Sequence, residues 1–190
     1  CGIGYTGICQ HTFHVFESCA WRNHVCGWHH QSLGSATDTV IPNYYDMQDF
    51  QVVSEPADYF FYLGRYIENK GLLVPVMCCT KLHEKLILAG SGDYKPEGPT
   101  AQYIGHVGVA ERAAWMSKAK ATFVMTKYIG PFEGVHAESM LMGVPVITTD
   151  FGVFTETVIN GFNGFRCNTM QEVEFAMKNV HKLDRTAIRQ

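Results

Sequence analysis

The 190-residue chain lacks any apolar run approaching the ~18 residues that a membrane-spanning helix needs, so no span is expected. It has little charge: 17% of residues are charged, 15 basic against 18 acidic, for a net charge of −3. There is no basic excess to point to nucleic acid and no acidic run to point to disorder. Peripheral association with a membrane is left open. Neither G-x-G-x-x-G nor a P-loop occurs, which removes the main support for dinucleotide-binding and ATPase readings. No signal peptide is visible, and the chain begins at Cys1 rather than Met, which reads as a removed start or a fragment. The cysteines number seven, an odd count, and Cys78 and Cys79 are adjacent. Both facts argue against a secreted disulfide framework and for reduced thiols in a cytoplasmic compartment. His11, His14, His24, His29 and His30 crowd the first thirty residues near Cys9, Cys19 and Cys26, so a metal site is the alternative there. The short Cys-x2-Cys and His-x3-His spacings of structural zinc sites are missing, and the reading adopted is core cysteines and surface histidines, with no metal.

What is present is a 46% hydrophobic sequence, long enough for one good core, or one domain and part of another. Residues 1–7 read as the end of a strand and a glycine turn. Thr12 to Trp28 reads as a helix, with Phe13, Phe16, Ala20 and Val25 as its apolar stripe, and Thr39–Ile41 as a short strand. A polar connector over 43–57 is the best boundary. From there strands and helices alternate. Tyr59–Leu63, Lys85–Ala89, Gln102–Ile104, Ala121–Met125 and Val144–Thr148 read as strands. Helices are expected from Lys70-Gly71 to about Leu82, over Ala110–Ala119, after Gly134 and over Gly152–Val158. Gly161–Phe165 reads as a turn into an edge strand and Gln171–Val180 as a last amphipathic helix. The alternation predicts an α/β fold, a Rossmann-like parallel sheet with helices on both faces. Residues 1–50 are expected to lie outside the main domain, which runs over 51–182, with a tail over 183–190.

The turns Gly64-Arg65, Gly90–Asp93, Gly105 and Gly130–Gly134 all follow strands, so they should converge at one sheet edge, where such folds bind ligands. The last runs into a helix carrying Glu138. A helix start offers unpaired N–H groups and the positive end of the helix dipole, which suits phosphate. Glu138, about one turn in, can accept hydroxyl hydrogen bonds such as those of a ribose diol. Arg65 and Lys70 can hold a diphosphate, the first by its fork and the second as a point charge. Read alone, the pair is two solvated surface cations; Gly64, Gly71 and the facing 130–134 loop tip the balance.

The ordered series YLGRYIENKG, LILAGSGDY, YIGHVG, ERAAWMSKAKATFVMT, GPFEGVHAESMLMGVPVITTDFGVFTETV and NGFNGF resembles the C-terminal, donor-binding domain of the retaining GT-B glycosyltransferases of family 4. VIPNYYD resembles the V-x-P-N-G-x-D strand that closes their N-terminal domain, with Tyr44 in place of glycine. The resemblance covers roughly 40–182, and residues before it would be the remnant of the acceptor-side domain. It implies a UDP-, GDP- or ADP-sugar donor, transfer to an unknown glycan, lipid or protein acceptor with retention of configuration, and no metal. Arg65 and Lys70 match the family's diphosphate-binding cations, and Glu138 matches the second glutamate of its Glu-x7-Glu motif. Backbone at Ile104 matches the base-reading segment. Gly64, Gly134 and Val135 match positions near the phosphates or sugar.

The first motif glutamate would fall at 130, which here is Gly130; the chain reads Gly-Pro-Phe-Glu where relatives read Glu-Pro-Phe-Gly. Three readings follow: Glu133 reaches the sugar instead, or it repels the phosphates, or sugar recognition is impaired. In the family's scheme there is no protein nucleophile, and the protein stabilises charge on the departing diphosphate. The D-x-D motif of the metal-dependent glycosyltransferases is missing. Rival readings are a nucleotide-binding module without transferase activity, a GT-B-like enzyme such as a sugar-nucleotide 2-epimerase, and a purely structural α/β domain.

Overall fold

The computed structural model describes residues 13–29, 38–51 and 56–190. Its frame is a six-stranded, wholly parallel sheet made of β3 (Phe60–Leu63), β4 (Leu86–Ala89), β5 (Ala101–Gly105), β6 (Thr122–Val124), β7 (Val146–Thr149) and β8 (Gly164–Cys167). The two earlier strands, β1 (His14–Phe16) and β2 (Asp38–Val40), form a separate parallel pair. Strand order in the large sheet is β5-β4-β3-β6-β7-β8. The chain winds outward from β3 in one direction, then returns beside β3 with β6 and winds the other way. Connections on the two sides of that reversal leave a crevice between the carboxyl ends of β3 and β6, the place where doubly wound sheets bind ligands.

The sequence supports this frame in a direct way. Phe60, Phe61, Leu86, Ile87, Leu88, Phe123, Val146 and Ile147 are fully buried. Strands covered on both faces carry continuous apolar runs, not alternation. One core lies under α2 (Leu73–Leu82) and α6 (Met170–Asn179), with Leu72, Val76, Val173 and Ala176 in it. Another lies on the opposite face, where α3 (Val109–Ser117) and the residues after α4 (Gly134–Leu141) contribute Met116, Ala119, Met142 and Val144. Pro75 sits in the first turn of α2, where its missing N–H costs nothing, as expected. A capping box of Thr169 and Glu172 starts α6. The short α5 (Phe154–Thr157) packs Phe154 under the loop that precedes α4.

Two segments differ from expectation. The helix anticipated over Thr12–Trp28 divides into β1 and α1 (Cys19–Trp28), because Ser18 adopts an extended backbone and caps the helix by accepting from Trp21 N–H. Trp21, Val25 and Cys26 are its buried residues, while Phe13 is exposed. Residues 183–190 do not trail off: Asp184 caps α7 (Arg185–Ile188), Ile188 is buried, and Arg189 donates to the carbonyls of Phe50 and Met47. The turn anticipated over 1–7 lies outside the described residues. No described helix is long and apolar enough to cross a membrane. Among the described residues no group of three His, Cys, Asp or Glu is placed to hold a metal ion.

Candidate functional site

Each element that follows β3 or β6 delivers a charged group to the crevice. After β3 the chain runs through Gly64 and Arg65 into a 3-10 turn, Glu68–Lys70, and Gly71 ends that turn in the left-handed region at φ 71°. A Cβ on Gly71 would lie 2.0 Å from the Met125 carbonyl oxygen, so only glycine lets the Lys70 turn press against the residues that follow β6. Lys70 is thereby held above Tyr128, its Nζ 4.9 Å from the ring centroid. From the other side Glu133 reaches Lys70, with 2.6 Å between carboxylate and ammonium. Both side chains are mostly covered, 16% and 10% exposed, so the pair is stronger than a surface ion pair.

Glu133 is the N-cap of α4 and has a left-handed backbone at φ 58°, a conformation that costs a non-glycine residue on the order of 1 kcal/mol. Its neighbour explains how the carboxylate fits: a Cβ on Gly130 would lie 2.4 Å from Glu133 Oε1. The Glu133 carboxylate thus fills the space that a side chain at 130 would enter. The expectation of a bare carboxylate repelling phosphate meets a different geometry, in which Lys70 already neutralises it.

His136 holds that backbone. It is fully buried between Phe132 and Phe154, and its Nδ1 lies 2.5 Å from the Glu133 carbonyl. A carbonyl only accepts, so Nδ1 carries the proton, and Nε2 lies 3.0 Å from the Thr157 hydroxyl, which also reaches the Val153 carbonyl at 2.9 Å. Burial holds His136 at about 4, well below the ordinary histidine range. Because the unfolded chain titrates near 6.5, it binds the additional proton first. Stability is therefore full above about pH 6.5 and is lost as pH falls toward 4. We expect His136→Asn, which keeps a donor, to lose about 2–3 kcal/mol less between pH 7.5 and 4.5 than the wild type in urea titrations. Equal losses would contradict this account of His136.

A second anchor comes from the N-terminal segment. The buried Ser18 hydroxyl donates to the Pro131 carbonyl at 2.8 Å, and Glu156 of α5 accepts from Cys19 N–H at 3.0 Å. The loop over 130–134 is therefore gripped from both sides. No described hydrogen bond uses the N–H of Gly134 or Val135, which begin α4. Those two donors, the helix dipole and the Lys70 ammonium form the anion-attracting part of the crevice. Tyr45 closes its flank, stacking on Phe132 with its hydroxyl 2.8 Å from where a Cβ on Gly134 would stand.

Further along α4, Glu138 is mostly buried, and its Oε2 has no hydrogen-bond partner. Burial raises its carboxyl above the usual range, and Arg112 opposes that from α3, with Nε 3.4 Å from Oε2. Buried carboxylate oxygens are rarely left without donors, and Arg112 is the group that stands nearest this one, which leaves the rest of the carboxylate to accept from a ligand's hydroxyls.

The sequence pattern of the family described as Glycosyl transferases group 1 matches residues 57–184, which span all of this site but Tyr45 and Ser18. The chain belongs to that family. Among solved structures, AviGT4, a glycosyltransferase involved in avilamycin A biosynthesis, superposes with a TM-score of 0.74 at 24% identity, over 92% of this chain and 56% of its own. Sucrose-phosphate synthase from Thermosynechococcus elongatus gives 0.73 at 21%, over 92% of this chain and 50% of its own. Anabaena HepE, solved in complex with UDP-glucose, gives 0.70 at 17%, over 94% and 62%. These likenesses show the fold, that of GT-B glycosyltransferases. The chain spans 50% to 62% of the lengths of these three proteins. No curated protein matches the sequence.

Within this group 1 glycosyltransferase chain the expected residues sort clearly. Lys70 and Glu133 are brought into contact, and Gly130, Gly134, Val135 and Glu138 line the same loop and helix. Arg65 follows β3 at that edge with an exposed side chain, and Ile104 stands near the end of β5, partly buried in the core under α3. Sequence reasoning missed Arg112, His136 and Tyr45. Arg112 stands in the second turn after Gly108, at the edge where β5 ends, and that placement was the available signal. A cleft of about 780 Å³ opens elsewhere, lined by Asp58, Glu84, Lys120, His181 and Arg185. Two of its cations are engaged within the protein, Lys120 by Asp58 at 2.6 Å and by Glu84, and Arg185 by the Ser117 and Ala119 carbonyls.

Proposed function

We propose that this chain binds a nucleotide-diphosphate sugar in the crevice between β3 and β6 and contributes the donor half of a retaining glycosyltransferase of family 4. The observation that carries the reading is the convergence of Lys70, the α4 N–H groups and the mostly buried Glu138 carboxylate on one crevice. A diphosphate fits the first two and a ribose diol the third. HepE was solved with UDP-glucose, so a UDP-sugar is the first donor to test.

In this scheme negative charge grows on the diphosphate as the glycosidic bond breaks. Lys70, Arg65 and the start of α4 meet that charge with fixed positive groups, so no metal is assigned a step. Backbone at Ile104 lies against the base and Gly64 near the phosphates. When phosphate draws Lys70, the Glu133 carboxylate is left half-buried and in need of donors. A hydroxyl of the donor sugar supplies them, and Glu133 thereby takes the place of a carboxylate at 130. The acceptor is a glycan, lipid or protein.

A thermal-shift screen with UDP-, GDP- and ADP-sugars tests the proposal. One nucleotide series should raise the melting temperature in a dose-dependent way, since a ligand at a hundred times its Kd adds about 2.7 kcal/mol. No shift with any of the three at millimolar concentration would sink it.

A further inference from the structure

We propose that Arg112 is a positioning residue for the nucleotide ribose: its guanidinium takes the buried oxygen of Glu138 and leaves the other oxygen to accept from both hydroxyls of the diol. The inference rests on the sugar-nucleotide reading of the crevice. Arg112 Nε lies 3.4 Å from Glu138 Oε2, too long for a strong hydrogen bond and close enough for a charge contact. That oxygen is buried and has no other partner. The second oxygen has two lone pairs, which match two neighbouring hydroxyls. Arg112 itself is 31% exposed and Glu138 14%, so the arginine forms the outer wall and the carboxylate the inner.

The pair also has an electrostatic logic. A carboxyl that is half-buried tends to keep its proton, and a protonated Glu138 accepts from a diol less well. Among the described residues, Arg112 on α3 and the Tyr45 phenol on the connector are the charged or titratable groups that face Glu138. Tyr45 is raised above its ordinary value of 10.0 by burial and by Glu138, so it stays neutral between pH 6 and 8. Of the two, Arg112 is the one that favours the ionised form of Glu138, against the effect of burial. Removing it lets burial act unopposed, and the acid limb of ribose recognition moves to higher pH.

The test is calorimetric titration with UDP, GDP and ADP, each beside its 2′-deoxy form, at pH 6 and pH 8. Wild-type protein should prefer the ribonucleotide at both values. Arg112→Gln is expected to lose about five- to tenfold of that preference at pH 6, with less loss at pH 8, and Arg112→Lys to regain most of it. In Glu138→Gln protein, Arg112→Gln should add no further loss. Equal weakening of ribo- and deoxyribonucleotides at both pH values would reduce Arg112 to a structural residue and overturn the proposal. An intact preference in Arg112→Gln overturns it as well. No preference in the wild-type protein removes the ribose role of Glu138, and the assignment of Arg112 with it. No binding of any nucleotide overturns the underlying reading.

Discussion

Lys70→Ala is expected to weaken nucleoside-diphosphate binding about 10- to 100-fold. A charge-assisted hydrogen bond to phosphate contributes about 1.5–3 kcal/mol, and Lys70 is the cation that the crevice holds in place. A second effect adds to the first. With Lys70 gone, the mostly buried Glu133 carboxylate loses its 2.6 Å partner and faces the phosphates unneutralised. The loss should therefore exceed that of Arg65→Ala, whose exposed side chain leaves no buried charge behind. It should also be partly recovered in Lys70→Ala/Glu133→Gln, which removes the stranded charge. Calorimetry on the three variants checks this. Unchanged affinity in Lys70→Ala would remove the diphosphate assignment, and no recovery in the double variant would remove the coupling to Glu133.

The other large effect concerns Gly130 and Glu133. A side chain at 130 and the glutamate at 133 claim the same space, 2.4 Å apart. Gly130→Ala alone should cost about 1–3 kcal/mol of stability, the usual penalty of overpacking, because Glu133 must leave Lys70 to make room. In a Glu133→Gly background the same substitution should cost little, since glycine also accepts the left-handed backbone at φ 58° without strain. The two changes are then coupled by at least about 1 kcal/mol, which denaturant titrations resolve. Additive costs would show that the positions do not compete. The full exchange, Gly130→Glu with Glu133→Gly, should keep sugar-nucleotide affinity within about threefold of wild type, because one carboxylate replaces the other in the same space. A loss of affinity confined to the sugar-bearing nucleotide would tie donor recognition to the position of Glu133 itself.

Much of the frame was legible because the sheet is buried on both faces. Apolar runs such as Phe60–Leu63 and Leu86–Ala89, each ended by a glycine turn, mark central strands without any need for alternation. The first helix was misjudged because Phe13, Phe16, Ala20 and Val25 have helical spacing, whereas β1 is fixed by pairing with β2 across 24 residues. Local periodicity carries no trace of such a partner. The site shows the same division. The loop over 130–134 and the helix with Glu138 could be read from glycines and a carboxylate in a short window. The contact of Lys70 with Glu133 joins residues 63 apart, and it changes Glu133 from an isolated charge into half of an ion pair. Arg112 follows Glu111 on an amphipathic helix and looks like part of a solvated face until α3 is placed beside α4. The role of His136 depends on Thr157 and the Glu133 carbonyl meeting at its two nitrogens, a placement that only the folded chain shows.

The most direct test of the central claim, that the crevice between β3 and β6 binds the nucleotide, is amide chemical-shift mapping on ¹⁵N-labelled protein titrated in turn with UDP, GDP and ADP. One of the three should shift Gly64 to Gly71, Ile104 and Gly105, and Gly130 to Glu138, with the largest changes at Gly134 and Val135, whose N–H groups await an acceptor. Changes confined to the cleft around Lys120 and Arg185, or none with any nucleotide, would contradict it.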